Sequence, residues 1–286
     1  MPNKQLVAVA GRGILPTGKA VATADDLGLT RGDGCFDATR VVTGRDGVSS
    51  VDHLSAHLAR LNRFIGGLGD RPTGASVWQE LVDEALEVWT RPGEATLKLM
   101  YTRGPESRSG EPLLVLTLTQ MSAESLAQRE GISVVGLGRG YASDAFTDAP
   151  WLLGGVKSLS YAVNMAAKRE AARRGAQDVL FVSSDGWCLE GPTAALVVAF
   201  GKTLVTTPTE GTGVLDSITQ KQVFAGAERK GWATDYRLLR PAELLTADGA
   251  WLVSSVRGPA PILELDGTAL NHDPKLTAKL AKWAGF

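Results

Sequence analysis

Two residues of this 286-residue chain are well placed to do chemistry. One is the lysine of Gly154-Gly155-Val156-Lys157-Ser158-Leu159-Ser160-Tyr161; the other is the carboxylate closing Asp185-Gly186-Trp187-Cys188-Leu189-Glu190-Gly191. A lysine amine can hold an aldehyde as a Schiff base. A carboxylate beside a pyridine nitrogen keeps that ring protonated, so that it withdraws electrons from a neighbouring carbanion. Together Lys157 and Glu190 suggest a pyridoxal phosphate site. Alone, each would read as an ordinary solvated charge, because Lys and Glu are rarely buried unless paired.

Other motifs flank the pair. Gly32-Asp33-Gly34-Cys35-Phe36-Asp37-Ala38-Thr39-Arg40, His57-Leu58-Ala59-Arg60-Leu61, Lys98 and Arg103-Gly104 precede Lys157. Val214-Leu215-Asp216-Ser217-Ile218-Thr219 and Ser254-Ser255 follow Glu190. In order and separation these strings resemble the class IV aminotransferase family, the fold-type IV pyridoxal phosphate enzymes. Branched-chain and D-amino acid aminotransferases and 4-amino-4-deoxychorismate lyase belong to that family. The resemblance covers nearly the whole chain and implies an α+β, two-domain fold with the cofactor in the cleft between domains. It also implies a homodimer whose interface completes each active site, with the loops at 103–111 and 138–155 near the shared cleft.

The resemblance assigns roles residue by residue. Lys157 would hold the cofactor and then serve as the base that takes the proton from the carbon bearing the substrate amine. Glu190 would contact the pyridine nitrogen. Tyr161 would bond the cofactor's phenolic oxygen, and its four-residue spacing brings it to the side of Lys157 if a helix starts near that lysine. Arg60 resembles the phosphate arginine, whose planar fork suits a pair of oxygens. Ile218 and Thr219 open a helix, where unpaired N–H groups and the dipole favour anions. Thr193 and Ser255 complete the cofactor set. Three positions depart from the family pattern: Ser217 replaces a glycine, Gln220 an arginine and Ala195 an asparagine.

Three readings of the reaction stay open: a 4-amino-4-deoxychorismate lyase making 4-aminobenzoate, a folate precursor, and pyruvate; an aminotransferase for D- or branched-chain amino acids; and a catalytically silent cofactor-binding protein. Cys35 before Phe36 is similar to lyase members and tilts toward the first. In that reaction Thr39, two residues along the strand from Asp37, could give a proton to the departing enolpyruvate. Arg103 and Arg108 could pair with the substrate carboxylates, since a dicarboxylate needs two cationic partners.

Composition narrows the classes of partner. Thirty Lys and Arg against thirty-one Asp and Glu leave a net charge of -1, which argues against a general nucleic-acid or anionic-membrane binder. No apolar run approaches the roughly 20 residues that span a bilayer, and a cytoplasmic location is expected. Cys35 and Cys188 are too few for a disulfide scaffold or a four-cysteine zinc site. No metal is expected: His53 and His57 have zinc-like spacing but no third ligand nearby. Gly136-Leu137-Gly138-Arg139-Gly140 opens no helix and is not read as a dinucleotide loop.

Periodicity supplies the elements that position these residues. Strands are expected at 5–10, 35–42, 95–102 and 113–120, with helices over 53–64 and 75–89, forming a first domain at 1–121. A linker at 122–130 leads to a second domain at 131–286 that carries the Schiff-base lysine. There, strands are expected at 132–136, 178–183, 194–200, 203–207 and 251–256, and helices at 161–174, 218–229 and 274–283. The stretch 138–155 lacks regular signals, and loops of that length are usually functional or disordered.

Overall fold

The computed structural model describes residues 5–16, 18–108 and 110–286. The chain divides into two compact units: residues up to Ser122 joined by Val156–Tyr161, and Ala123–Gly155 joined by Ala162–Phe286. This corrects the expected boundary at one important point. Lys157 groups with the first unit, not the second, because its segment hydrogen-bonds to the first unit's sheet: Phe36 N–H donates to the Lys157 carbonyl and Leu159 N–H to the Gly34 carbonyl, each at 2.9 Å.

The first unit contains β1 (Gln5–Val9), β2 (Gly13–Leu15), α1 (Leu27–Arg31), β3 (Gly34–Thr43), β4 (Ser49–Val51), α2 (Leu54–Gly67), α3 (Ala75–Val88), β5 (Gly93–Thr102) and β6 (Leu113–Gln120). The strands form one six-stranded sheet in the order β2-β1-β6-β5-β3-β4, every pair antiparallel. Alternation assigns its faces. Ala95, Leu97, Leu99 and Tyr101 of β5 are buried at every second position, as a strand with one covered face requires. Asp37 and Thr39 of β3 pair with Leu99 and Leu97 and so share that face, where α2 and α3 pack. These helices bring Leu58, Leu61, Phe64 and Ile65, and Trp78, Leu81, Val82 and Ala85, at helical spacing. Each large side chain buried this way contributes about 1.5–3 kcal/mol. Phe36, Ala38 and Lys98 occupy the opposite face.

The second unit contains α4 (Ala123–Ala127), β7 (Ile132–Gly138), α5 (Ala162–Arg173), β8 (Asp178–Val182), β9 (Glu190–Gly191), β10 (Ala194–Phe200), β11 (Thr203–Thr206), α6 (Ile218–Glu228), β12 (Ala233–Tyr236), α7 (Pro241–Leu244), β13 (Gly249–Ser254), β14 (Gly258–Leu265), β15 (Thr268–Ala269) and α8 (Pro274–Ala284). Its nine-stranded sheet runs β12-β11-β10-β13-β14-β7-β8, with β9 on β10 and β15 on β14. The sheet is mixed, with parallel pairs at β11–β12, β14–β7 and β7–β8. One core joins α6 and α8 to the sheet through Val223, Phe224, Leu276 and Leu280 against Val197, Trp251 and Val253. A second buries Leu180, Leu196, Val198, Leu252 and Ile262. Helix α8 shows why its ends fall where they do: Asp273 caps the first turn by accepting from Lys275 N–H, Pro274 follows, and Gly285 closes the helix at φ 87°.

Strand β14 escapes the sequence pattern because of Pro259 and Pro261, residues that argue against a central strand. The structure accommodates them. Both lie where β14 pairs only with β13, and register with β7 begins at Ile262.

Candidate active site

In the first unit the motif around Gly34 exists to let the lysine segment approach. A side chain at Gly34 would collide with the Tyr101 carbonyl and with Leu159, and one at Gly32, at φ 71°, with the Ser160 hydroxyl. Cys35 and Ser158 bridge the segment to β3. The Lys157 Nζ then stands 4.7 Å from the centre of the Phe36 ring and 3.5 Å from the Tyr161 hydroxyl. Phe36 and Tyr161 meet edge to face at 5.3 Å. The structure thus brings Lys157 and Tyr161 together, but not by helical spacing. Helix α5 starts only at Ala162, and the five residues from Lys157 to Tyr161 lie along the sheet edge.

Lys98, across the same face, places its Nζ 5.1 Å from the Phe36 ring centre, and burial lowers its pKa. The Phe36 ring is therefore approached by the Nζ atoms of two lysines.

Arg60 lies on the other face. Its Nε and Nη2 donate to Asp37 at 2.8 and 2.6 Å, and His57 Nδ1 meets the same carboxylate at 2.9 Å. Burial opposes a charge on Asp37, but the hydrogen bonds from Arg60 and His57 and their charges outweigh it and lower its pKa to about 2. The sequence pattern did not disclose this partnership. Its only signal is that His57 and Arg60, three residues apart on α2, face a strand carboxylate.

The two first-unit arginines assigned to substrate are already engaged. Arg103 donates to Asp33 Oδ2 at 2.7 Å, Asp70 Oδ2 at 3.0 Å and the Leu68 carbonyl at 2.7 Å. Arg108 pairs at 3.3 Å with Glu111, both well exposed. Thr39 is not brought to Lys157. Only 1% exposed, it donates its hydroxyl to the Asp52 carbonyl at 2.7 Å, on the α2 face rather than the Phe36 face. Strand alternation does put Thr39 on the side of Asp37, as expected, but that is the side away from the lysine.

In the second unit, Glu190 sits on β9 opposite Ala195 of β10, with Leu215 N–H donating to its Oε2 at 3.1 Å. Thr193 occupies the exposed turn between the two strands. A pocket beside Glu190 is lined by Thr207, Leu215, Ala195, Ser217 and Gln220. All three departures from the family pattern face this one pocket. Ser217 is the N-cap of α6 and accepts from Gln220 N–H at 3.2 Å, which leaves the N–H groups of Ile218 and Thr219 outside the helical ladder. The Thr219 and Ser255 hydroxyls lie 2.8 Å apart, so the structure joins two residues assigned separately from sequence.

Cys35 and Cys188 are buried free thiols, and burial pushes each up to about 12. Among the described residues no cluster suits a metal ion, and no helix is long and apolar enough to cross a membrane.

Comparison with known proteins places the chain in a family. The sequence model of the amino-transferase class IV family matches residues 34–265. The chain is 38% identical, over 269 residues covering 91% of each sequence, to a bifunctional aminodeoxychorismate lyase / D-amino acid transaminase of Mycobacterium tuberculosis. It is 27% identical over 256 residues to an aminodeoxychorismate lyase of Bacillus subtilis, covering 86% of this chain and 82% of that one. Its structure matches a fold IV-transaminase from Curtobacterium pusillum with a TM-score of 0.90 at 39% identity, over 99% of this chain and 97% of that one. It also matches the PLP-bound form of a hypothetical aminotransferase from Mycobacterium tuberculosis, with a TM-score of 0.91 at 36% identity over 98% of both. The chain, with its lysine on one sheet and its carboxylate on another, belongs to the class IV aminotransferase family.

Proposed function

We propose that this member of the family is a 4-amino-4-deoxychorismate lyase that releases 4-aminobenzoate and pyruvate. Family membership makes it a pyridoxal phosphate-dependent enzyme. The donors described above suit that cofactor: an amine against an aromatic ring, a carboxylate at a pocket, and a helix start bearing two hydroxyls and two N–H groups outside the ladder. When bound, the cofactor supplies an aldehyde for the substrate amine and an electron-withdrawing ring. The observation that carries the lyase reading is the place of Lys157 over Phe36, in the Cys35-Phe36 pair that resembles lyase members.

In this reading Lys157 Nζ would hold the cofactor and would also be the base that takes the proton from the carbon bearing the substrate amine. Loss of that proton and of enolpyruvate leaves an aromatic ring. Tyr161 holds the neighbouring oxygen, and Glu190 keeps the pyridine nitrogen protonated. Arg60, Ile218, Thr219 and Ser255 would bind the phosphate end, with Thr193 a further cofactor contact. Arg103 and Arg108 take the substrate carboxylates by exchanging their present partners. The proton for enolpyruvate is better assigned to a group on the Phe36 face than to Thr39. A homodimer is part of the proposal, supported by exposed apolar side chains such as Trp151 at 74% and Leu29 at 70%. Sedimentation tests it, with a fully active monomer as the adverse result.

Transamination of D- or branched-chain amino acids is the second reading, favoured by the D-amino acid transaminase in the name of the Mycobacterium tuberculosis relative and by the fold IV-transaminase in that of the Curtobacterium pusillum neighbour. Transamination needs a keto-acid acceptor and elimination does not. We expect product from 4-amino-4-deoxychorismate without 2-oxoglutarate, and D-alanine transamination slower by at least about tenfold in kcat/KM, roughly 1.4 kcal/mol. Transamination as fast or faster, with strict need for a keto acid, would reverse the order of the two readings.

A further inference from the structure

The hairpin that carries Ser255 is held from outside itself. Ser254 ends β13 and pairs with Gly258, the first residue of β14, so that Ser255, Val256 and Arg257 form the connection. Gly258, at φ 80°, takes the left-handed backbone that closes a short hairpin of this kind. Such tips are ordinarily exposed and mobile. This one is anchored: Arg257 is 7% exposed, and its Nη1 donates to Asp178 Oδ2 at 2.8 Å and to Gln128 Oε1 at 2.9 Å. Asp178, fully buried at the head of β8, has the Lys168 amine 3.9 Å from its other oxygen. From the segment after α4, Arg129 donates from Nε to the Arg257 carbonyl at 2.7 Å and from Nη2 to the Val256 carbonyl at 3.4 Å. The Arg257 N–H in turn donates to Ser254 Oγ at 3.3 Å. Gln128 and Arg129, which the sequence pattern places in a linker, thus support the tip of the hairpin.

We propose that Arg257, anchored on Asp178 and Gln128, is a positioning residue: it fixes the hairpin connection so that the Ser255 hydroxyl, 2.8 Å from that of Thr219, is set for a phosphate at the start of α6. The inference rests on the reading of Ser255 and Thr219 as phosphate ligands. A buried ion pair adds little net stability over apolar packing of the same volume, but it sets one direction, because turning the guanidinium away strands a charge. A hydroxyl on a free hairpin tip loses conformational freedom when it binds an anion. One on a fixed tip has lost that freedom already in folding, so the cost does not fall on binding. The gain belongs to the phosphate alone, and to neither the ring nor the aldehyde of the cofactor.

The experiment measures the affinity of the full chain, stripped of cofactor, for pyridoxal phosphate and for pyridoxal, which lacks the phosphate, and takes the ratio of the two. A general structural defect weakens both ligands and leaves the ratio alone. We expect Ser255→Ala to lower the preference for pyridoxal phosphate by about tenfold, the scale of one hydrogen bond to a charged group. Arg257→Met should lower it by about fivefold, a large part of the same bond, and Arg257→Lys, which keeps a cation for Asp178, should retain most of it. Because Arg257 acts through Ser255, the double variant Ser255→Ala/Arg257→Met should lose no more than Ser255→Ala alone. An unchanged preference in Arg257→Met, or losses that add in the double variant, overturns the proposal. Should Arg257→Met fail to fold, Gln128→Leu decides by the same ratio, since it removes one anchor and leaves Asp178 paired; there too an unchanged ratio is the adverse result. Ser255→Ala separates the two ideas. If it leaves the preference intact, the phosphate reading of Ser255 has failed and the proposal falls with it; if it lowers the preference while Arg257→Met does not, the proposal alone has failed.

Discussion

Arg60 and Arg103 were both assigned to anions, and both hold carboxylates of their own chain, yet in unlike settings. Arg60 and Asp37 are buried, with side-chain exposures of 4% and 0%. Arg103 shares Asp33 and Asp70 in a cluster whose side chains are all about one-third exposed, at 32%, 34% and 33%. Breaking a buried pair strands a charge, whereas an exposed pair is largely replaced by water. Arg103 can therefore trade a carboxylate of the protein for one of a ligand. Any anion met by Arg60 would be met with Asp37 still attached.

Lys157 sets the upper end of the scale against which the arginines are judged. Lys157→Ala should abolish turnover and the absorbance of bound cofactor; a variant that keeps both removes the lysine from its assigned role. Next in size, Asp37→Ala should destabilise the fold by about 3–5 kcal/mol in urea unfolding, because it leaves the Arg60 charge buried. Asp33→Ala should cost about 0–1 kcal/mol. Equal losses would dissolve the contrast.

Acid sharpens it further. The Asp37 pKa is lowered from 3.8 to about 2, so its contribution to stability is fully present above pH 3.8 and is lost as pH falls toward 2. That contribution is about 2 kcal/mol, and the unfolding free energy of Asp37→Asn should lack this part of the acid dependence. The smallest effects are kinetic. Arg60→Ala should weaken cofactor binding by about tenfold and recover turnover at saturating cofactor, whereas Arg103→Ala should raise the KM for the substrate and leave cofactor affinity alone. A turnover defect in Arg60→Ala that persists at saturation would give Arg60 another role.

Elements with strong periodicity were legible. Strand β6 and helices α3 and α6 fall within a residue of their expected bounds, and α2 starts within a residue of its own but runs on to Gly67, past the expected end at 64; alternation and helical spacing are local properties. Strand β14 was hidden by its prolines, and the short α1 by having no buried residue to mark a face. At the site, residue types and order pointed to Lys157 and Glu190, and the Thr219–Ser255 contact followed from two separate assignments. What sequence could not supply was orientation. Thr39 turns away from the lysine because two strands and a helix decide which face of β3 is covered. Asp37 entered the sequence reading only as the strand neighbour of Thr39; its bond to Arg60 joins residues 23 apart on different elements.

The attachment of the 156–161 segment to the first sheet also sets an order of events during folding. Every strand of that sheet has been synthesised by Gln120, but the lysine segment comes later and must close a loop of about 120 residues to reach Gly34 and Phe36. Such non-local closures slow folding. Until it happens, the margin of β3 near Phe36 presents unpaired backbone groups on which another chain could template. A chain truncated before Val156 would keep that margin open, so the stretch that carries Lys157 is also the one that covers this part of β3.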